Sequence, residues 1–339
     1  LYVESLLDEG DSLAEAEALL RSVLSRTPDN NELRAYLSYV QGEREAYADA
    51  VLEAERVLRD EPANAWVWNQ LRRYSAALDD AERPLRLARE LVISRAGDAD
   101  AWLALAEHDQ DAAGRESALR EALRFNPRHR GAHEQLLDLL LKSERFEELH
   151  ELLAAPCWGG VTPVELAVFG PRATYNSGKQ DVAMEDLRQL LARHSNSFEA
   201  WRELADWQDG AGHYSAYAES AREMVRLEPK LAIAHGFLGH ALLLNEQGEQ
   251  ALVSFSQAFR LDPGYIFAGL HEFDLLLKHG RADDCRAVLE RLLDAPNYSQ
   301  PSILLRALDF AQAHSDLQLK QRALEPLCRD DNNAGAWAD

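Results

Sequence analysis

Histidine and cysteine are the residues of this sequence best suited to metal binding or nucleophilic chemistry. Among the 339 residues there are eleven histidines and three cysteines, which are Cys157, Cys285 and Cys328. The cysteines are far apart and form no CxxC pair, so they provide neither a disulfide framework nor a zinc site. Free thiols are typical of a reducing compartment, and we therefore expect a cytoplasmic location.

Two histidine patterns have spacings that a metal site would need to use. His314-Ser315-Asp316 has the His-x-Asp spacing of two ligands in a non-haem iron site, but it falls in a turn between helical segments. Ser315 or Asp316 is therefore predicted to cap a helix. His235 and His240 are five residues apart, which does not place them on one helix face. We expect no metal and no cofactor.

Motifs for nucleophilic catalysis and phosphate binding are missing from the sequence. It contains no GxSxG elbow, no GxxxxGK[ST] loop and no GxGxxG segment after a strand. Gly178-Lys179 follows Asn176-Ser177 and is typical of a turn. The sequence therefore predicts no enzymatic activity for this chain.

The charge balance excludes two classes of partner. There are 36 Lys and Arg against 58 Asp and Glu, giving a formal net charge of −22. A negative field of this size repels phosphate backbones and anionic lipid headgroups, so we expect no nucleic-acid partner. No run approaches 18 apolar residues, which argues against membrane insertion. The hydrophobic fraction of 46% is that of a folded protein.

Certain residue types recur at a fixed spacing along the sequence, and this spacing indicates where the helices that position any functional residue lie. Prolines recur 33 or 34 residues apart, at Pro28 and Pro62 and again at Pro229, Pro263 and Pro296. The tryptophans follow the same period: Trp102 lies 34 residues after Trp68, and Trp201 lies 99 residues, or three periods of 33, after Trp102. Helix formers dominate between them, and no alternating strand pattern is present. Such a period predicts a solenoid of helix pairs.

One copy of the period carries a nearly complete motif. It is His235-x2-Leu238-Gly239-x2-Leu242, then Ala251-x3-Phe255, Ala258 and Pro263. This copy resembles the tetratricopeptide repeat family, whose pattern is W-x2-L-G-x2-Y, then A-x3-F, then P. Partial copies begin at Trp68, Trp102 and Trp201. The resemblance covers nearly the whole chain and implies an all-α, right-handed superhelical solenoid of about nine or ten antiparallel helix pairs.

Small residues recur where the two helices of a pair should cross closely. They are Ala50, Ala106, Ala205, Gly239 and Ala251. Interhelical distances of about 8–10 Å depend on such contact residues, so we expect these positions to be buried. Cys285 lies near the same position of its own repeat and is predicted to be a core thiol.

The period breaks in the middle of the chain, which predicts three regions. We expect a repeat array over residues 1–156, an irregular, degenerate repeat over 157–195, and a second array, cut short, over 196–339. Pro156-Cys157-Trp158-Gly159-Gly160 predicts a turn, Thr162–Glu165 resembles a capping box that begins a helix, and Gly170-Pro171 should end that helix. Leu1–Glu9 resembles half of a first helix and Asn333–Trp337 the start of another repeat, so we expect a longer protein.

The family resemblance implies a concave groove formed by the first helix of each pair, in which members hold an extended peptide or a partner's helix. Side chains two before, one after and five after the tryptophan position should project into it. These residues are Trp66, Asn69 and Arg73; Asp100, Leu103 and Glu107; Gly131, Glu134 and Asp138; Glu199, Arg202 and Asp206; and Ile233, Gly236 and His240. Most of the charged members are acidic. This favours a partner with Lys or Arg over the C-terminal carboxylate that some family members bind through a lysine clamp.

Three functional hypotheses follow. The first is a protein-interaction scaffold that binds a peptide or partner protein in the groove. The second is the substrate-recruiting region of a larger enzyme, resembling sulfotransferases, glycosyltransferases or iron-dependent oxygenases, with a catalytic domain outside this chain. The third is self-association through terminal repeats or the groove. An apolar stripe of Phe267, Leu270, Phe273 and Leu277 is expected to be core. If the helix-pair frame is shifted by one residue there, part of the stripe would instead face the groove and anchor a partner.

Overall fold

The structure is a computed structural model that describes residues 13–295 and 300–329, with side chains described up to residue 325. These residues form α-helices and one short 3₁₀ turn, and they contain no strand. The chain divides into two compact units, the first ending at Ala173 and the second beginning at Thr174. The segments Leu1–Glu9 and Asn333–Trp337, on which two of our expectations depend, lie outside the described residues.

The first unit consists of helices joined by short turns. In chain order they are α1 (Leu13–Leu24), α2 (Asn31–Glu43), α3 (Tyr47–Asp60), α4 (Ala65–Ala77), α5 (Arg83–Ser94), α6 (Ala99–His108), α7 (Ala112–Phe125), α8 (Arg130–Lys142), α9 (Phe146–Leu153), α10 (Val164–Ala167) and the first half of α11 (Phe169–Asn176). From α1 to α9 each helix packs on the next one in sequence. Short connections between packed neighbours make consecutive helices antiparallel.

The second unit repeats the same arrangement. After the end of α11 its helices are α12 (Gln180–Arg193), α13 (Phe198–Gly210), α14 (Tyr214–Leu227), α15 (Ala232–Leu244), α16 (Gly248–Leu261), α17 (Ile266–Lys278), α18 (Ala282–Asp294), α19 (Pro301–Ala313) and α20 (Leu317–Arg329). From α12 to α20 neighbours in sequence are again neighbours in space. The prediction of an all-α array of tetratricopeptide-like helix pairs is confirmed.

The first helix of each pair begins at a regular interval. In the first unit α2, α4 and α6 begin 34 residues apart, and in the second unit α13, α15 and α17 do the same. Polar side chains fix several of these starts: the side-chain oxygens of Asn30, Asn64 and Ser197 accept from the backbone N–H three residues later. Such N-caps satisfy donors that have no partner within the helix.

The predicted small residues lie in the core. Ala50, Ala106, Ala205 and Ala251 are fully buried. Gly239 on α15 faces the ring of Phe255 on α16 so closely that a Cβ atom there would lie 2.8 Å from Phe255 Cδ1. Close crossings of this kind explain why the period requires small residues at these places.

The middle of the chain differs in detail from our expectation. Pro156–Trp158 form the 3₁₀ turn, followed by Gly159 and Gly160 at positive φ, as the sequence predicts. The capping box is wrong: the Thr162 hydroxyl donates to the carbonyl of Leu153, and Pro163 is an extended N-cap residue. Helix α10 ends at Ala167, before Pro171, which instead lies in the first turn of α11, where its missing N–H costs nothing.

Candidate protein-interaction surface

In six of the first helices that the structure describes, the side chain of the fourth residue bonds to a backbone carbonyl of the preceding turn. In α4, α6 and α13 this residue is a tryptophan whose indole Nε1 donates to the carbonyl six residues earlier. The bonds are Trp68 to Pro62 at 2.8 Å, Trp102 to Ala96 at 2.8 Å and Trp201 to Ser195 at 3.0 Å. We call this position the slot, because it recurs once in each helix pair.

Other residue types make the same bond where tryptophan is absent. His133 Nε2 lies 3.0 Å from the Pro127 oxygen and His235 Nε2 lies 2.9 Å from the Pro229 oxygen. A carbonyl oxygen can only accept, so both imidazoles donate from Nε2. In α2, Arg34 bonds to the carbonyl of Pro28. The slot bond therefore marks the same position in each of these first helices, whether or not the residue there is tryptophan.

The first-helix face is the set of positions two before, one after and five after the slot. All the residues predicted to bind a partner occupy these positions on α4, α6, α8, α13 and α15. Most side chains are exposed and three are half-buried: exposed are Trp66, Asn69, Arg73, Glu107, Glu134, Glu199, Arg202 and Asp206, and half-buried are Asp100, Asp138 and His240. Gly236 at the same register is buried, because the Tyr265 ring covers it.

In the first unit an exposed tryptophan is the main apolar feature of this face. Trp66 on α4 is 44% exposed. Its ring centroid lies 5.5 Å from that of Tyr36 and 5.9 Å from that of Tyr39, both on α2. The tryptophan pattern does not reveal the two tyrosines, although Tyr39 is five residues after the slot residue Arg34. Together the three rings form an aromatic surface that crosses two helix pairs.

The acidic residues of this face in the first unit mostly have partners on the same or a neighbouring helix. Asp100 Oδ1 lies 2.8 Å from His129 Nε2, and Glu107 Oε1 accepts from Gln135 Nε2 at 2.9 Å. Asp138 pairs with Lys142 at 2.6 Å, and Glu43 pairs with the predicted Arg73 at 2.7 Å. Glu134 makes no hydrogen bond or ion pair with any residue that the structure describes.

Two predicted residues of the first unit line one pocket. Asn69 and Glu107 border a pocket of about 390 Å³ together with Arg72, Arg115 and His108. His108 Nδ1 lies 2.8 Å from the Ala104 carbonyl oxygen and therefore donates, and burial lowers the pKa of this imidazole. The pocket thus contains a neutral histidine and charges of both signs, so it is not an acidic site.

The second unit retains a less compensated acidic group. Glu199 and Arg202 pair with each other at 2.7 Å, three residues apart on α13. Asp206, further along the same helix, makes no hydrogen bond or ion pair within the described part of the chain. Partial desolvation raises the pKa of the Asp206 carboxyl; the positive charge of Arg202 opposes this rise and the nearby Asp209 adds to it. This exposed carboxylate is accessible to a cationic group from outside the chain.

Aromatic rings lie next to these carboxylates. His240 on α15 has its Nδ1 atom 3.3 Å from the Tyr217 hydroxyl and 3.7 Å from Asp209 Oδ2. Its ring centroid is 5.9 Å from that of Phe267 on α17, which in turn is 4.4 Å from the ring of His271. Phe267 is 41% exposed. An acidic and aromatic patch therefore extends over α13, α15 and α17.

The predicted apolar stripe on α17 is partly wrong. Phe273 is buried and Leu270 packs against the core, but Phe267 and Leu277 are exposed. Each three-residue step along a helix falls about 60° short of a full turn, so Phe267 and Phe273 point roughly 120° apart. The sequence does contain a signal that Phe267 is exposed on the first-helix face: it lies two residues before Gly269, which occupies the slot of α17.

The residues that resembled chemical sites have structural roles. Asp316 Oδ1 accepts from the Leu319 N–H at 3.1 Å and so caps α20, as predicted. Cys285 is fully buried, and burial raises the pKa of its thiol, as a core cysteine requires. Cys157 is half-buried, with Sγ 3.9 Å from His133 Nε2. Within residues 13–295 and 300–329 no group of three His, Cys, Asp or Glu side chains could hold a metal.

None of the described helices combines the length and apolar character that a bilayer-spanning segment needs.

Comparison with known proteins gives similarity to solved helical-repeat structures. No family model and no curated protein matches the chain. YrrB, described as a TPR protein with an unusual peptide-binding site, is 15% identical over 53% of this chain and 95% of its own, with a TM-score of 0.39. MamA is 20% identical over 47% of this chain and 95% of its own, with a TM-score of 0.38. A tetratricopeptide repeat protein from Parabacteroides merdae is 13% identical over 81% of this chain and 96% of its own, with a TM-score of 0.42.

Proposed function

We propose that this chain is a protein-interaction scaffold that binds a peptide or partner protein on the first-helix faces of its units. The observation that carries the proposal is the pair Trp66 and Phe267. Each is a large aromatic side chain left more than two-fifths exposed, and each lies two residues before the slot of its helix. Exposed aromatic residues at a fixed register, one in each unit, are typical of anchors that a partner covers.

The surroundings of the two anchors differ and suggest different contacts. Trp66 lies beside Tyr36 and Tyr39, so an apolar side chain of a partner suits that surface. Phe267 lies beside His240, whose Nδ1 atom is 3.7 Å from Asp209 Oδ2 on α13. A lysine or arginine from the partner would stack on the ring there and pair with a carboxylate.

The expected preference for a basic partner is therefore assigned to the second unit. In the first unit, ion pairs and hydrogen bonds already compensate most carboxylates, and an incoming cation would have to displace them. Asp206 in the second unit, like Glu134 in the first, has no such partner among the described residues, and Asp206 also lies in the acidic and aromatic patch that contains Phe267. A basic segment of the partner would pair with this exposed carboxylate and would bind less tightly as salt screens the attraction.

The test compares anchor variants with matched surface variants. The purified chain, the Trp66→Ala, Phe267→Ala double variant and a control double variant are each used to capture proteins from lysate at low and high salt. The control is Leu52→Ala with Val182→Ala, since Leu52 and Val182 are exposed apolar residues on the second helices α3 and α12, one in each unit. Captured proteins are identified by mass spectrometry, and their affinities are then measured singly.

The expected result is a protein retained by the native chain and by the control but lost from the anchor variant. Removal of a central aromatic anchor typically costs about 2 kcal/mol, or roughly 30-fold in affinity. If the anchor and control variants capture the same proteins with the same affinities, the first-helix faces are not the binding surface. A partner whose binding resists high salt would contradict the assignment of a basic segment to the second unit.

A further inference from the structure

A second pocket in the second unit uses none of the first-helix face positions. It has a volume of about 720 Å³ and is bordered by α14, α15, α16, α17 and α18. Val225, Leu238, Leu252 and Val253 provide apolar walls, and Val253 is 70% exposed. Its size is within the range of sites for small molecules, about 300–1,000 Å³.

Three arginines line this pocket in a chain whose net charge is −22. Arg281 Nε pairs with Asp284 Oδ2 at 2.6 Å, which compensates its charge. The Arg291 guanidinium lies 4.2 Å from the centre of the Phe259 ring and donates to the Phe259 carbonyl at 3.2 Å. Arg260 bonds to the neutral amide oxygen of Gln257 and has no carboxylate partner among the described residues.

A buried carboxylate explains why only one of these arginines is available. Glu272 is 7% exposed, and its Oε1 atom accepts from the Ser256 hydroxyl at 2.6 Å. Its Oε2 atom has no hydrogen bond, and Arg291 Nη1 lies 4.0 Å from it. A buried carboxylate needs a nearby cation, so Arg291 is required to compensate Glu272. The positive charge of Arg260 is left for a ligand.

We propose that this pocket binds a small monocarboxylate with an apolar body. The carboxylate pairs with the Arg260 guanidinium, which presents parallel N–H donors to two oxygens. The hydrocarbon part lies against Val225, Leu238 and Leu252 and removes apolar surface from water. Glu272 opposes the binding of a second negative charge, which restricts the ligand to one anionic group.

Octanoate is the probe. Octanol and octylamine are matched compounds with the same eight-carbon length but a neutral or a positively charged head group. Binding to the complete chain is measured by isothermal titration calorimetry at low salt. Arg260→Gln removes the proposed contact, and Arg222→Gln makes the same charge change at an exposed arginine of α14 outside the pocket. Thermal unfolding of both variants checks that each remains folded.

Octanoate is expected to bind more tightly than octanol, with no binding of octylamine. Arg260→Gln should weaken octanoate binding roughly tenfold or more, as loss of a charged hydrogen bond predicts, whereas Arg222→Gln should leave it within about twofold. Equal affinity for octanoate and octanol, no octanoate binding to the folded chain, or equal loss in both variants would each overturn the proposal. None of these outcomes depends on the anchors Trp66 and Phe267.

Discussion

Replacing Gly239 with leucine tests the helix-pair register most directly. A Cβ atom at Gly239 would lie 2.8, 2.9 and 3.0 Å from three ring carbons of Phe255, and real Cβ atoms do not approach so closely. Phe255 is fully buried and cannot move aside without disturbing the core between α15 and α16. The leucine side chain adds three further carbon atoms beyond that Cβ.

Two opposing effects set the size of the change. Overpacking a filled core costs about 1–3 kcal/mol. Leucine has a higher helix propensity than glycine, which returns somewhat less than about 1 kcal/mol. With its three additional atoms, leucine should lie near the upper end of the overpacking range, so we expect a net loss of roughly 1–2 kcal/mol in the free energy of unfolding.

Gly210→Leu is the matched control. Gly210 is the last residue of α13, it is exposed, and a Cβ atom there would meet nothing within 4 Å. The same substitution should therefore leave stability unchanged or raise it slightly through helix propensity. The comparison separates the effect of the close crossing from the effect of removing a glycine.

Urea unfolding followed by circular dichroism measures both variants, with thermal unfolding as a second readout. For a unit of this size, 1 kcal/mol corresponds to roughly 2–4 °C in melting temperature. If Gly239→Leu is as stable as the native chain, the crossing of α15 and α16 is not as close as described. In that case the slot register of this pair would also be misplaced.

Three further predictions concern a cap, a buried histidine and the acidic residues. Asn64→Ala should cost about 1 kcal/mol of stability by removing the cap of α4, whereas Asn69→Ala on the surface of the same helix should cost little; urea unfolding compares them. Burial lowers the pKa of His133 below its ordinary value of about 6.5, so the unfolded chain takes up the proton first and stability should fall as pH drops below about 6.5 toward the folded pKa. His133→Trp, which keeps a slot donor, should weaken that dependence, and an unchanged unfolding profile between pH 7.5 and 5.5 would contradict the assignment. Asp206→Lys should weaken capture of a basic partner with an unchanged helical signal, whereas Glu107→Lys, at a carboxylate already bonded to Gln135, should change it less; equal capture by the native chain and Asp206→Lys would refute the role of this acidic residue.

The fold was predictable from the sequence because the slot side chain makes a local bond in six of the described helix pairs, Gly269 in α17 being an exception. The slot residue reaches a carbonyl only six residues earlier, so its position in the sequence directly marks a helix start. This worked even at His235, where the residue type differs from the motif but the donor is retained. The middle region was less predictable, since Thr162 bonds to Leu153 across a turn rather than capping the following helix.

The chemistry of the candidate surface was less predictable, because its partners come from other helices. Asp100 and Glu107 look like free acids in the sequence, yet their partners His129 and Gln135 lie 28 or 29 residues further on. Composition along one helix does not reveal such pairs. The apolar spacing predicts a core position for Phe267, because it shows which apolar residues are neighbours along the helix. It does not show how far the apolar stripe turns around the helix axis.

The slot bond also determines how the chain can be shortened or lengthened. Its donor and acceptor are six residues apart, so both belong to the same 34-residue segment, as Trp68 and Pro62 do. Deleting one whole segment removes both the donor and the acceptor of its slot bond, and duplicating a segment adds both. Neither change leaves a donor without its acceptor at the new junction. Only the packing between neighbouring helix pairs then has to be matched. The second unit, where α13, α15 and α17 begin at equal intervals, should therefore accept an inserted copy of a helix pair more readily than the irregular segment around Pro163.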